Sequence, residues 1–386
     1  MKKTMYFLLC FVIIISVLPF CSFAEQTDSA EKKAYPSLSL NSASACLMES
    51  STGEVLYEQN SHERLEPASV TKTMALLLIM EALDNGTITL DTLVTGSDHA
   101  SSMGGSQIWL ENGEQMTVNE MLKAIVVSSA NDCTVAMGEH LAGSEEAFVA
   151  QMNEKAKALG MNDTHFSNCT GLPVENHYTS AYDIALMTRE LLKHELIFNY
   201  TTIWTDTVRG GQMGLSNTNK LIRFYNGANG MKTGYTQSAL YCMSATAKRD
   251  GMQLIAAVMK ADTSDKRFSD AKKLLDHGFA NYSVYETDTS GLETLPLKGA
   301  EKNSIKIGCN SKSIIIPRGR AGQIERSVYL EESVTAPVKK GQQVGYIIYE
   351  SEGEEIARLP VVTLEKADKI TFGKIFTRIM KKLVGA

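Results

Sequence analysis

The sequence has no cysteine pairs at close spacing. Its seven cysteines, Cys10, Cys21, Cys46, Cys133, Cys169, Cys242 and Cys309, are scattered along the chain with no CxxC. Neither a disulfide framework nor a cysteine zinc site is written into it. HExxH is missing too, and the seven histidines form no close pair with ligand spacing, so no metal and no cofactor is expected. GxSxG does not occur, which disfavours a lipase-like Ser–His–Asp enzyme. Basic residues are the scarcer charge, 38 against 44 acidic ones, for a net charge of −6. That balance argues against nucleic acid as a partner. A composition that is 44% hydrophobic and 21% charged excludes a disordered chain, a collagen and a polytopic membrane protein. The 386 residues suit about two or three domains at roughly 100–200 residues each.

The two ends depart most from this average. Lys2 and Lys3 precede an apolar run from Met5 to about Phe20, and Ser22-Phe23-Ala24 follows. A charged start, a short apolar stretch and small residues at −3 and −1 describe a secretory signal peptide cleaved after Ala24. Bulky Leu18-Pro19-Phe20 disfavours a lipoprotein reading at Cys21. At the other end, Ile370, Ile375, Phe376, Ile379, Met380, Leu383 and Val384 recur mostly at three- and four-residue spacings. Lys369, Lys374, Arg378, Lys381 and Lys382 fill the remaining face. A basic amphipathic helix of this kind lies in a membrane interface; the competing reading is a helix packed on the protein's own core.

Between the ends, residues 25–37 read as a linker. Strands are expected over 43–49 and 54–59, joined at Ser51-Thr52-Gly53. Helices are expected over 69–85, 117–127, 144–159, 181–193 and 264–278, the first apolar nearly all round and so central and buried. Two β-rich segments flank Arg249-Asp250-Gly251 as a hairpin. After about residue 285, short segments at 304–307, 313–316, 326–330 and 343–349 alternate with Gly, Pro and polar turns, the texture of a small all-β domain.

Three short motifs occur in order: Ser69-Val70-Thr71-Lys72, Ser129-Ala130-Asn131 and Lys232-Thr233-Gly234. Alone, SxxK and SxN are weak signals, since SxxK recurs at Ser29–Lys32 and Ser269–Lys272 and SxN at Ser39–Asn41. The ordered set is much stronger. At the start of a helix, residues three apart share a face, so Lys72 can set its amine beside the Ser69 hydroxyl. A serine is a weak nucleophile until a base accepts its proton. A lysine can be that base only if burial and a nearby cation, here Lys232, lower its pKa. Ser129 and Asn131 bring a hydroxyl and an amide to the same cleft. Gly234, on a strand edge, leaves room for substrate backbone.

The set is the one shared by β-lactamases and penicillin-binding proteins. The chain resembles the D-alanyl-D-alanine carboxypeptidases, the low-molecular-weight penicillin-binding proteins, across roughly residues 38–365. The likeness includes Gly104-Gly105-Ser106, Gly171-Leu172-Pro173, His177-Tyr178-Thr179-Ser180-Ala181-Tyr182-Asp183, Asn217-Thr218-Asn219-Lys220 and Asn229-Gly230-Met231-Lys232-Thr233-Gly234-Tyr235-Thr236. It is nearest to the Gram-positive, sporulation-associated members.

The resemblance implies an α+β fold in three parts. A penicillin-binding, serine β-lactamase-like catalytic domain (38–285) has an antiparallel sheet flanked by helices. A small β domain (286–366) follows, then an amphipathic anchoring helix (367–386). It also implies roles. Ser69 attacks the carbonyl between the terminal D-alanines of a peptidoglycan stem peptide, with Lys72 as base and Ser129 relaying a proton to the leaving amine. Asn131 holds the substrate amide. Lys232 and Thr233 bind the terminal carboxylate, with Arg267. Gly234 lines the edge, and the backbone N–H groups of Ser69 and Tyr235 form the oxyanion hole. β-Lactams acylate Ser69, and the enzyme works on the outer face of the cytoplasmic membrane. Ala130 and Met231 depart from the commonest family residues at their positions.

Two rivals remain open at this point. A class A-like β-lactamase would need a carboxylate to activate water, and Glu195-Leu196-Ile197-Phe198-Asn199 has the ExxxN form, although it reads as a helix end. A catalytically silent wall-binding protein is opposed by intact Ser69, Lys72 and Lys232.

Overall fold

The computed structural model describes residues 35 and 37–384. The signal-peptide reading and most of the expected linker fall outside those residues. The catalytic half is built on a five-stranded antiparallel sheet of β1 (Ser44–Glu49), β2 (Val55–Gln59), β3 (Ala228–Thr236), β4 (Leu240–Arg249) and β5 (Met252–Ala261), in the order β2-β1-β5-β4-β3. Alternate residues of a strand face opposite ways, and here both faces are covered. Cys46, Met48, Ile255, Ala257 and Met259 enter the core on one side, while Ala45, Leu47, Leu254, Ala256 and Val258 enter the core on the other. This double burial is why these strands read as near-continuous apolar runs rather than as alternating ones.

The larger core holds α1 (Lys72–Asp84), α2 (Val118–Val127), α3 (Asn131–Ala142), α4 (Glu145–Ala158) and α5 (Ala181–Leu191). As its composition suggested, α1 is buried almost all round, from Met74 to Ala82. The sequence signals that mark helix starts are real caps. Thr117 and Glu120 form a capping box on α2, while the Ser144 and Ser180 hydroxyls accept from backbone N–H groups of α4 and α5. The α3 helix was not expected. It starts at Ala130 with no side-chain cap and contains Thr134, Val135 and Gly138, all poor helix formers. Tertiary packing decides instead: a Cβ at Gly138 would sit 2.7 Å from the Phe148 ring of α4.

The second core packs α6 (Ser264–Asn281) on the opposite sheet face. It runs past the expected stop at Gly278, because that glycine lets the helix close onto the sheet: a Cβ there would lie 2.5 Å from Leu254 Cδ1. The fully buried Asp270 carboxylate of α6 accepts from the Asn41 and Ser42 backbone N–H groups and the Ser42 hydroxyl at 2.6–2.8 Å, which fixes where the chain enters β1.

The C-terminal half is nearly all strand. A six-stranded sheet runs β10 (Ile324–Leu330), β12 (Gln343–Ser351), β13 (Glu354–Thr363), β8 (Ser304–Gly308), β7 (Thr294–Lys298) and β11 (Val334–Thr335); β6 (Tyr282–Glu286) pairs separately with β9 (Ser313–Pro317). The change of texture therefore begins at Tyr282, directly after α6. Strand β13 escaped the sequence reading because Pro360 lies inside it. Proline is tolerated there because β13 meets β8 only at Val362 and Thr363, beyond the proline. The chain ends in α7 (Phe372–Val384), and no described helix is long and apolar enough to cross a membrane.

Candidate active site

Ser69 lies in a 3-10 turn, Ala68–Thr71, rather than in the α-helix proper, which starts at Lys72. Residues three apart eclipse in a 3-10 turn, which brings the pair closer than α-helical spacing would. Lys72 Nζ stands 2.9 Å from Ser69 Oγ. The same amine donates to Asn131 Oδ1 at 2.5 Å and to the Thr170 carbonyl at 2.8 Å. Thr170 is presented by Gly171, at φ +86, where a Cβ would lie 1.9 Å from the Ala68 carbonyl oxygen. Only glycine fits there. Lys72 is fully buried, and that burial pushes its pKa down to about 7, against opposing pulls from Cys169 and Asp132.

The second motif sits between α2 and α3. Ser129 has φ +64, a strained value for a serine. Its hydroxyl accepts from Lys232 Nζ at 2.8 Å, and Lys232 also donates to the Thr233 carbonyl at 2.9 Å. Burial, then the charges of Lys72 and Arg267, hold Lys232 well below the usual lysine range. The sequence reading placed the cation–cation effect on Lys72. The structure ascribes the lowering of Lys72 to burial and shows the repulsion on Lys232.

Asn131 is committed internally. Its Oδ1 accepts from Lys72 Nζ and its Nδ2 donates to the Gly104 carbonyl at 2.7 Å, so both ends of the amide expected to hold substrate already have protein partners. Gly234 likewise serves the fold first: a Cβ would sit 2.7 Å from the Pro67 carbonyl and 2.9 Å from the Ser69 nitrogen. Its bareness lets strand β3 press against the Ser69 turn.

The resulting cleft, of about 240 Å³, is lined by Ser69, Ser106, Ser129, Thr218, Thr233, Gly234, Tyr235, Tyr241 and Arg267. Thr233 and Thr218 share a hydroxyl–hydroxyl bond of 2.7 Å. Tyr235 is exposed, with its ring 4.4 Å from that of Tyr241. Arg267 reaches in from α6, donating to the Gly234 carbonyl at 3.0 Å and the Cys242 carbonyl at 3.3 Å. Burial lowers its pKa to about 10, so it remains a cation at neutral pH. Its Nε is buried without a partner.

The structure thus brings Ser69, Lys72, Ser129, Asn131, Lys232, Thr233, Gly234, Tyr235 and Arg267 to one place. Sequence reasoning gave no role to Ser106, Thr218 and Tyr241. Ser106 and Thr218 stood inside quoted motifs, but Tyr241 carried no signal. Thr170 acts through its carbonyl, which no side-chain pattern announces. His177, at the head of a family-like stretch, was likewise given no role. Its Nδ1 accepts from the Ser167 N–H at 3.0 Å, and its Nε2 meets the Thr71 hydroxyl at 2.8 Å, bracing the SxxK turn from behind. No carboxylate lines the cleft among the described residues. Glu195 and Asn199 lie exposed on a 3-10 and α-helical stretch after α5, as a helix-end reading requires.

A fold of this kind with a Ser–Lys pair and a lysine-bearing edge strand defines an acyl-transferring serine hydrolase of the penicillin-binding class. Residues 28–263 match the family described as D-alanyl-D-alanine carboxypeptidase, and residues 279–369 match penicillin-binding protein 5, C-terminal domain. The chain belongs to the D-alanyl-D-alanine carboxypeptidase family and is a serine-type carboxypeptidase. It is 42% identical to D-alanyl-D-alanine carboxypeptidase DacF of Bacillus subtilis, over 98% of each chain. Penicillin binding protein 5 from Haemophilus influenzae has a similar structure, with TM-score 0.79 and 29% identity, covering 87% of this chain and 100% of that one. Penicillin-binding protein D2 from Listeria monocytogenes, solved in an ampicillin-bound form, is 32% identical with TM-score 0.58, covering 63% of this chain and all of that one.

Proposed function

We propose that Ser69 is the nucleophile that removes the terminal D-alanine from peptidoglycan stem pentapeptides. The observation that carries this is the buried Lys72 amine 2.9 Å from Ser69 Oγ, with its pKa lowered to about 7 by burial. The neutral amine takes the Ser69 proton as Oγ attacks the carbonyl of the penultimate residue. The developing oxyanion is met by the Ser69 and Tyr235 backbone N–H groups. Ser129, tied to Lys232, passes a proton to the leaving nitrogen, and D-alanine departs. Water then hydrolyses the acyl-enzyme, returning Ser69 and the proton. Lys232, Thr233 and Arg267 receive the terminal carboxylate, and Asn131 positions Lys72. β-Lactams place their strained carbonyl at the same point and acylate Ser69. With no carboxylate lining the cleft among the described residues to drive water onto that adduct, its release is slow, unlike a β-lactamase.

Residues 38–285 act as the catalytic domain and 286–366 as a separate β domain, while 367–386 hold the enzyme on the outer face of the cytoplasmic membrane. The support for the last point is that the apolar face of α7 is unpacked, with Phe372 81% and Leu383 75% exposed. Burying that face at a lipid interface, with lysines toward anionic headgroups, satisfies both.

Labelled penicillin should mark the wild type and not Ser69→Ala, and the wild type should release D-alanine from diacetyl-Lys-D-Ala-D-Ala. Rapid benzylpenicillin turnover with that peptide left intact would sink the reading. Deleting residues 367–386 should release the protein from membranes with peptidase activity intact, and a truncated chain that still sediments with membranes would overturn the anchor.

A further inference from the structure

The outward face of the C-terminal sheet carries an aromatic stripe that neither the core nor the cleft uses. In the strand register, Tyr329 of β10 lies opposite Tyr346 of β12, which lies opposite Pro360 of β13. Directly opposed residues share a face, and adjacent strands lie about 4.8 Å apart. The stripe is therefore about 10 Å across. The two tyrosine rings stack at 5.1 Å, and Arg358 lies over the Tyr346 ring at 4.6 Å while pairing with Glu355 at 2.6 Å. A hollow of about 440 Å³ adjoins them, lined also by Leu330, Glu331, Gln343 and Gly345. The opposite face supplies the core, through Ile347, Tyr349, Leu359 and Val361. On a one-sided sheet the outward positions are expected to be polar, so a tyrosine pair left open to solvent there, with Tyr329 49% exposed, offers a surface that the core does not use.

We propose that this stripe is a carbohydrate-binding site that takes the glycan backbone of peptidoglycan. A flat ring face packs against the C–H face of a pyranose. The phenol hydroxyls, the guanidinium, Glu331 and Gln343 around it supply the donors and acceptors that hydroxyl and acetamido groups require. The charges point the same way: Arg358 is paired with Glu355, so no excess of cations faces a phosphate-bearing ligand. An added β-strand would pair with the free edge of β10, whereas the rings stand on the sheet face. The choice of this polymer rests on the carboxypeptidase reading, since the glycan is what carries the stem peptides. A site here would keep the enzyme on the polymer while the cleft works on the stems.

The test uses the full chain on immobilised, peptide-free glycan strands, with D-alanine release from diacetyl-Lys-D-Ala-D-Ala measured in parallel. The wild type should bind, and Tyr329→Ser/Tyr346→Ser should bind at least tenfold more weakly with unchanged peptide turnover. Arg358→Ala leaves the rings in place and should weaken binding severalfold, which keeps the test decisive if the double variant does not fold. A wild type that ignores the strands, or variants that bind them equally well, would overturn the proposal. So would a concentration-dependent dimer that the tyrosine changes abolish in the absence of glycan binding. Failure of the carboxypeptidase reading would show separately, as absent D-alanine release by the wild type.

Discussion

The two halves of the chain treat buried charge in opposite ways. The catalytic half buries Lys72, Lys232, Arg267, Asp132 and Asp270. The C-terminal sheet core is Leu, Ile, Val, Ala and one Tyr, Tyr349, whose hydroxyl donates to the Asp288 carbonyl at 2.5 Å. Burying an ionisable group costs free energy unless it is paired or neutralised. In the first half the buried groups are held by specific partners: Lys72 by Asn131 and the Thr170 carbonyl, Lys232 by Ser129, and Asp270 and Asp132 by backbone N–H groups of the loops they anchor. The core of the second part carries no such demand and is packed from apolar side chains. Buried charge and purely apolar packing are thus separated along the chain, and core substitutions in the two parts should separate in what they damage.

The largest expected effect is on chemistry. Lys72→Met should lower kcat/KM on diacetyl-Lys-D-Ala-D-Ala by roughly 10³–10⁴-fold, the upper range for losing a general base, while the melting curve shows a folded protein. Activity within tenfold of wild type would remove Lys72 from the proton path. The converse belongs to the other half. Ile347→Ala, in a fully buried site of the C-terminal core, should cost about 2–5 kcal/mol in denaturant unfolding with turnover of the soluble peptide unchanged. A parallel fall in kcat would mean that the halves are energetically one body.

Gly171→Ala joins the two kinds of damage. The added methyl would meet the Ala68 carbonyl at 1.9 Å, at a φ of +86. Strain and overpacking together should cost about 2–4 kcal/mol, with loss of activity as the Thr170 carbonyl moves off Lys72. A stable variant with full activity would show that this carbonyl does not position the amine.

How much of this was legible in the sequence follows the same division. Turn-bounded β-rich segments located many of the strands and helical spacing most of the longer helices, because turns and one-sided helix burial write themselves into sequence. The ordered motifs located the Ser69–Lys72 pair, because three-residue spacing is a statement about side-chain direction. What escaped rests on contacts remote in sequence. Helix α3 lacks a side-chain cap and carries Thr134, Val135 and Gly138 in its interior, and it is held by Phe148 against Gly138. Gly278 looks like a stop and is a packing surface. Pro360 looks like a strand breaker and stands where no partner strand needs its N–H. In the cleft, Thr170 contributes a carbonyl, and Tyr241 is brought in only by the register of β4 against Tyr235. The family resemblance assigns Asn131 to the substrate amide, whereas its partners in space are Lys72 and Gly104.

The pH dependence tests the electrostatic half of the comparison with the smallest expected change. Burial lowers Lys72 to about 7. The active form carries the neutral amine, so kcat/KM should rise with pH through a limb near 7 and fall about tenfold per unit below it. A limb near the ordinary lysine value would mean that burial does not act on this amine. Two neighbours oppose the lowering, Cys169 and Asp132. Burial holds the Cys169 thiol itself well above its usual range, so it is uncharged near neutrality and Asp132 is the working counter-charge. Its carboxylate accepts from the Ile108 and Leu110 N–H groups at 2.9 and 3.0 Å, which fixes a negative charge whose field favours the ammonium form of Lys72. Asp132→Asn should therefore move the limb to lower pH, because removing a negative charge disfavours the ammonium form. A limb that stayed in place would show that burial alone sets the base.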